Sequence, residues 1–171
     1  MREKTVGGWF GYEAIFLKKR FSKQIKGWLE SDTALRRRFF MAGENGAWVC
    51  REAAARDYLA KAEVMRDHLL TAYHLSSGLP GRSTEIASLR FSNRVNALRN
   101  FYVTSDVLYT ISRYSKNTSR TQSDTYIARF MTPAVSKLFA IALMVIRPLE
   151  LCFAKFLNDE NLVISLKEFA F

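Results

Sequence analysis

The spacing of apolar residues changes character partway along this chain, and that change limits the folds open to it. From Trp48 to about Leu75 the sequence is rich in Ala, Leu, Glu, Arg and Met, all good helix formers, and a long helix is expected there. From Asn100 to Asp106, and again from Val107 to Tyr114, it turns to Phe, Tyr, Val, Ile and Thr. Branched and aromatic side chains fit a pleated surface, so both runs predict strands. Ser105-Asp106 between them suits a tight turn, and Tyr126 to Phe130 reads as a third strand. Pro133 then opens a long apolar helix, bent at Pro148 and reaching Leu157. The expected fold is mainly α with a small antiparallel β-hairpin or three-stranded sheet, inserted at about residues 100–130.

The other segments fill in around this plan. Tyr12 to Leu29 places Ile15, Phe16, Phe21, Ile25, Trp28 and Leu29 at amphipathic helical spacing with a basic outer face. Ser31 or Asp32 can N-cap a second helix through Met41, and residues 42–46 read as a turn. Ser76-Ser77-Gly78-Leu79-Pro80-Gly81 breaks the long helix, and a new one starts near Ser83 or Thr84 and carries Ile86 and Leu89. Ser115 to Asp124 is a polar loop. With 171 residues a single core is the default; residues 1–45 are expected as an N-terminal helical extension and 46–171 as the main domain.

Charge narrows the choice of partner. There are 26 Lys and Arg against 16 Asp and Glu, a formal net charge of +10. Residues 1–60 and 61–120 each carry a balance of +5, whereas 121–171 balance to zero. A basic field confined to two thirds of a chain fits a polyanion. Lys18-Lys19-Arg20 and Arg36-Arg37-Arg38 are its densest clusters, each beside aromatics that at helical spacing suit a core. The nine apolar residues from Leu138 to Ile146 fall short of the roughly 20 needed to cross a bilayer. They read as a buried core helix, and no membrane partner is expected.

Common enzymatic signatures do not occur. The sequence has no GxxxxGK[ST] loop for a triphosphate, and Gly7-Gly8-Trp9-Phe10-Gly11 lacks the spacing of a dinucleotide fingerprint. His68 and His74 lie six apart on one helix, hence on different faces, which does not suit a metal pair. Cys50 and Cys152 have no CxxC spacing, which argues against a disulfide framework or a zinc site and for a reducing compartment. No cofactor and no catalytic activity are expected.

One constellation points to a phosphate. Arg82 sits at a loop-to-helix junction, where a guanidinium beside unpaired backbone N–H groups can hold an anion. Glu85, three residues on, lies in the first helical turn, within reach to orient Arg82. Lys116 falls just beyond the second strand, where a hairpin can carry it toward the same phosphate; Arg113 and Arg120 compete for that role.

Arg82, Glu85, Ile86 and Leu89 match the R-x-x-E-[IL]-x-x-L segment of tyrosine recombinases and phage-type integrases, and the following hairpin resembles the one that carries the family's lysine. That likeness implies a truncated tyrosine-recombinase-like catalytic-domain half. The family's cleavage chemistry also needs an H-x-x-R box and a later tyrosine nucleophile. This sequence has no His after His74 and no Tyr after Tyr126. A closer likeness is to the integrase-like domain ahead of the helicase core in fungal subtelomeric RecQ-like helicases. It is carried by Leu79-Pro80-Gly81-Arg82-Ser83-Thr84-Glu85-Ile86, Arg99-Asn100-Phe101-Tyr102-Val103, Ser112-Arg113-Tyr114-Ser115-Lys116 and Arg129-Phe130-Met131-Thr132-Pro133. The resemblance implies a truncated copy without the helicase core, located in the nucleus and binding the DNA backbone with little sequence specificity. Arg82, Lys116, Arg113 and Arg120 would be the phosphate ligands, supported by Glu85. The rival expectation is a structural or protein-interaction remnant, with a protein partner covering the missing half and no nucleic-acid role.

Overall fold

The structure, a computed structural model, describes Gly27, Ser31 and residues 33–43, 48–78, 81–93, 98–105, 107–114 and 125–168. The helix expected over Tyr12–Leu29, Gly27 excepted, and the loop Ser115–Asp124 lie outside the described residues. The chain is mainly helical, with one two-stranded and one three-stranded antiparallel sheet.

Helix α1 (Thr33–Phe39) runs directly into β1 (Phe40–Ala42), which pairs with β2 (Trp48–Cys50). Phe40, Met41 and Trp48 to Cys50 thus belong to a hairpin, where helix was expected. Strands of three residues show no period for a sequence reading to detect, and flanking helix formers mask them. The Arg51 amide donates to the Phe39 carbonyl at 2.7 Å and closes the hairpin. The boundary expected near residue 45 lies between these two paired strands, outside the described residues.

Helix α2 (Glu52–Ser76) is the long helix of the fold. It buries Ala55, Ala62, Leu69 and Tyr73, a spacing of seven, seven and four that keeps one stripe inward over about five turns. His68 is exposed and His74 half-buried. At the far end Gly78 takes φ +89°, a conformation open to glycine at little cost, and the helix stops where the Ser-Gly run predicts.

Helix α3 (Ser83–Ala87) is a short turn of helix that buries Ile86. It is shorter than expected, because the chain leaves the helix before Leu89, which is nonetheless buried. Strands β3 (Phe101–Thr104), β4 (Val107–Tyr114) and β5 (Thr125–Phe130) follow in the order β3-β4-β5. Thr104 faces Val107 in the register, so two residues separate the strands where a turn was expected, and Ser105 is in a turn. Ser105 takes φ +51° there, as the inner positions of tight hairpin turns require. Asn100 stitches the sheet to the α3 exit: its side chain accepts from the Arg90 amide and donates to the Ile111 carbonyl, both at 2.9 Å.

Helix α4 (Pro133–Ile141) starts at the expected proline, with the Thr132 hydroxyl accepting from the Val135 amide. A π-helical turn, Ala142–Ile146, separates it from α5 (Arg147–Phe156). Pro148 lacks an amide hydrogen and its ring crowds the carbonyl four residues back, so a widened turn ahead of it relieves the clash. The 138–146 segment is amphipathic where a buried helix was expected. Phe139 and Ala142 are buried, but Leu138 and Ile141 are about half exposed. A last helix, α6 (Glu160–Glu168), was not anticipated; Asp159 caps it by accepting from the Leu162 amide at 2.9 Å.

The main core gathers Leu69 and Tyr73 of α2, Ile86 and Leu89, Phe101 and Leu108 of the sheet, Met131, and Phe139 and Ala142. A second cluster joins Phe39, Cys50 and Ala55 to Phe153, with Tyr58 packed against it. Between α2 and α5 the Glu150 carboxylate is bonded by Arg66 and lies 3.3 Å from Arg147 Nε. Burial, and secondarily the like charge of Arg66, lowers Arg147 to about 10. Among the described residues no helix is long and apolar enough to cross a membrane.

Two measurements test this packing. Phe139→Ala should lower the unfolding free energy by about 3–5 kcal/mol, whereas its neighbour Leu138→Ala should change it by no more than about 0.5 kcal/mol, as for an exposed site; urea unfolding reads both. Burial also pushes the Tyr58 phenol up to about 12 from 10.0. The folded state keeps that proton through the window in which the unfolded chain releases it, so the contribution is complete below pH 10 and lost as pH rises toward 12. Tyr58→Phe should flatten the alkaline fall in stability over that window.

Candidate nucleic-acid interface

The buried face of the three-stranded sheet is partly polar. Inward positions alternate along β4 as Leu108, Thr110 and Ser112 and along β5 as Ile127 and Arg129, continuing to Met131. Thr110 and Arg129 face each other in the register, and both are almost fully buried. Tyr73 and Thr110 share a hydroxyl hydrogen bond of 2.7 Å. Arg129 donates to the Ser112 hydroxyl at 2.5 Å and to the Glu85 carboxylate at 3.0 Å.

The Arg129–Glu85 contact decides where Arg82 sits. With side chains 5 % and 15 % exposed, the pair is held largely out of water, where an unpartnered charge is costly. Glu85 belongs to α3, so the pair fastens the start of that helix to β5. Gly81 completes the fit: a Cβ there would lie 3.0 Å from Ile86 Cγ1 and 3.5 Å from Arg129 Cζ. A Cβ at this position would make ordinary contact with Arg129 and would need the Ile86 side chain to give by a few tenths of an ångström. Arg82 follows at the N-cap position with extended backbone (φ −66°, ψ 151°), exposed to solvent.

Glu85 was expected to orient Arg82 from three residues away; its carboxylate accepts a hydrogen bond from Arg129, 44 residues further along the chain. The helix after Arg82 has only five residues, too few aligned peptides for a strong dipole, so an anion there would be held by the guanidinium and not by the helix start. Lys116 and Arg120 lie outside the described residues. Arg113 is described in its backbone alone, paired with Tyr126 near the end of β4. The 115–124 segment leaves the sheet two residues beyond Ser112, roughly 7 Å at the rise of a strand.

Arg129 and Ser112 received no role in the sequence reading, although both lie within segments that drew attention. The signal was available. In Tyr126-Ile127-Ala128-Arg129-Phe130-Met131, Arg129 shares its parity with Ile127 and Met131, and a strand buries every second residue. A buried arginine calls for a carboxylate, but which one is a matter of tertiary structure.

The opposite face of the sheet carries Tyr102, Tyr109 and Phe130, stacked across the three strands, and Arg99 lies over the Tyr102 ring. Among the described residues no group of three or more His, Cys, Asp or Glu side chains is gathered to hold a metal ion. No protein-family model, curated protein or solved structure matches this chain.

The clamp makes a thermodynamic prediction. Glu85→Met, which strands a buried guanidinium, should cost about 3 kcal/mol or more, while adding Arg129→Met to it should recover much of that loss, so that the double variant is more stable than the sum of the Glu85→Met and Arg129→Met losses implies. Urea unfolding of the four members of the cycle measures the coupling, and additive losses would show that the two residues stabilise the fold independently.

Proposed function

We propose that the chain is a non-catalytic module that binds the DNA backbone, similar to the integrase-like domain of fungal subtelomeric RecQ-like helicases and acting in the nucleus. On this reading its helices and three-stranded sheet are a tyrosine-recombinase-like catalytic-domain half that has kept phosphate binding without strand cleavage. The observation that carries the proposal is the Glu85–Arg129 clamp. It seats the Arg82 turn on the strand pair that leads into the segment bearing Lys116. A guanidinium on a turn seated against a β-ribbon and an ammonium in the segment that joins its strands could share a phosphate, since charge-assisted contacts are made by long side chains. The basic balance of residues 1–120 supplies the long-range attraction, which is insensitive to base sequence. Arg113 and Arg120, near and within the same segment, are secondary phosphate ligands.

One observation favours a second reading, a protein-interaction role. Leu138 and Ile141 of α4, Phe156 of α5 and Ile164 of α6 are each about half exposed, and exposed apolar surface of this kind marks contact sites when it is contiguous.

Binding of a labelled blunt duplex separates the two. In about 50 mM salt the chain should bind, and affinity should fall steeply as salt rises. Arg82→Ala should weaken binding at low salt and lower the slope of log affinity against log salt by about 1, uniformly across DNA sequences. Unchanged affinity in Arg82→Ala contradicts the phosphate role, and absence of any binding in the wild type favours the protein-interaction reading.

A further inference from the structure

We infer that the outer face of the three-stranded sheet is a second nucleic-acid site, one that stacks an unpaired DNA base on the edge ring Phe130. The inference rests on the proposal that the partner is DNA, but it uses different residues and a different face.

The register sets Tyr102 opposite Tyr109 and Tyr109 opposite Phe130, so the three rings form one row across the strands. Their centroids are 5.5 and 5.0 Å apart and their planes are inclined by 27° and 20°. This is near-parallel stacking with each π-face turned along the row. At the β3 end the row is closed: Arg99 Cζ lies 5.3 Å from the Tyr102 ring centre, and the Tyr102 hydroxyl donates to the Arg99 carbonyl at 3.0 Å. At the β5 end it is open. Phe130 lies on the edge strand of the described sheet and is 52 % exposed.

This row is not part of the core. The same strands send Phe101, Leu108 and Arg129 to the buried face at alternate positions, and the main cluster of buried residues contains none of the three rings. Tyr102 and Tyr109 are half-buried and Phe130 is exposed; the exposed end of the row gains nothing from water, whereas a nucleobase offers a flat π-face of matching size that every base possesses. The charge fits as well. Two of the three rungs lie in residues 61–120, whose balance is +5, and Arg99 places a cation at the β3 end of the row. Bases in a duplex are already stacked, so the occupant is single-stranded DNA.

The test measures anisotropy of a labelled oligo-dT and of a blunt duplex with wild type and Phe130→Ala, Phe130→Leu, Phe130→Tyr and Arg82→Ala. Because the Phe130 ring is half exposed and Arg82 is exposed, all four variants should keep the wild-type circular dichroism spectrum. Phe130→Ala and Phe130→Leu should weaken oligo-dT binding roughly tenfold, Phe130→Tyr should bind as wild type, and duplex affinity should stay within about twofold in all three. Full oligo-dT affinity in Phe130→Leu, which keeps apolar bulk but no π-face, would overturn the inference. So would duplex binding without any oligo-dT binding, an outcome that leaves the Arg82 proposal intact. Loss of duplex affinity in Arg82→Ala with oligo-dT binding retained supports two separate sites. A Phe130-dependent preference for oligo-rU over oligo-dT would overturn the assignment to DNA.

Discussion

A carboxylate and a guanidinium placed largely out of water set the geometry on which the rest of this structure depends. Removing the charges of Glu85 and Arg129 from solvent is unfavourable unless each finds the other, so their meeting is close to obligatory. Helix α3 is too short to be stable by itself and owes its position to this pair and to Ile86 and Leu89 in the core. The Ser112 hydroxyl takes up a further donor of Arg129, which ties the middle of β4 to the same network. A loop arginine is thereby carried by the sheet and not by a freely moving segment.

Much of the fold was legible because local chemistry decided it. Val107 to Tyr114 has few alternatives to a strand, Ser105-Asp106 few alternatives to a turn, and Pro133 could begin a helix but not continue one. The long helix was visible in its composition and its end in Ser77 and Gly78. Other features had no local signal. The strands Phe40–Ala42 and Trp48–Cys50 are set by their pairing, which three residues cannot announce. The half-exposure of Leu138 and Ile141 reflects what packs beside α4, and a run of apolar residues reads the same on a buried helix and on an open one. The cap at Asp159 was present in the sequence but followed an apparent helix end at Leu157, so α6 went unread.

The candidate site was half legible for a related reason. Arg82 stood out by its place between a Gly-Pro turn and a helix. The spacing of Glu85 pointed to Arg82, but nothing local announced Arg129, 44 residues away, whose pairing with Glu85 is strengthened by burial. Arg66 and Glu150, 84 residues apart, meet for the same reason between α2 and α5. Such long-range pairs are written in the sequence only as inward-facing charges that need a partner. The aromatic row was likewise present as scattered Tyr and Phe, and only the register of β3, β4 and β5 aligned them.

The two faces of one small sheet thus carry different chemistry, an ionic clamp beneath and a row of rings above. The central claim is that the clamp delivers Arg82 to the phosphate that Lys116 also reaches. A double-mutant cycle on duplex affinity, with Arg82→Ala, Lys116→Ala and the combined variant at one fixed salt concentration, tests it most directly. Two cations on one phosphate should be coupled, with the double loss departing from the sum of the single losses by about 0.5 kcal/mol or more. Losses that add within about 0.3 kcal/mol would mean that the two side chains act at separate places, and the shared phosphate site would be refuted.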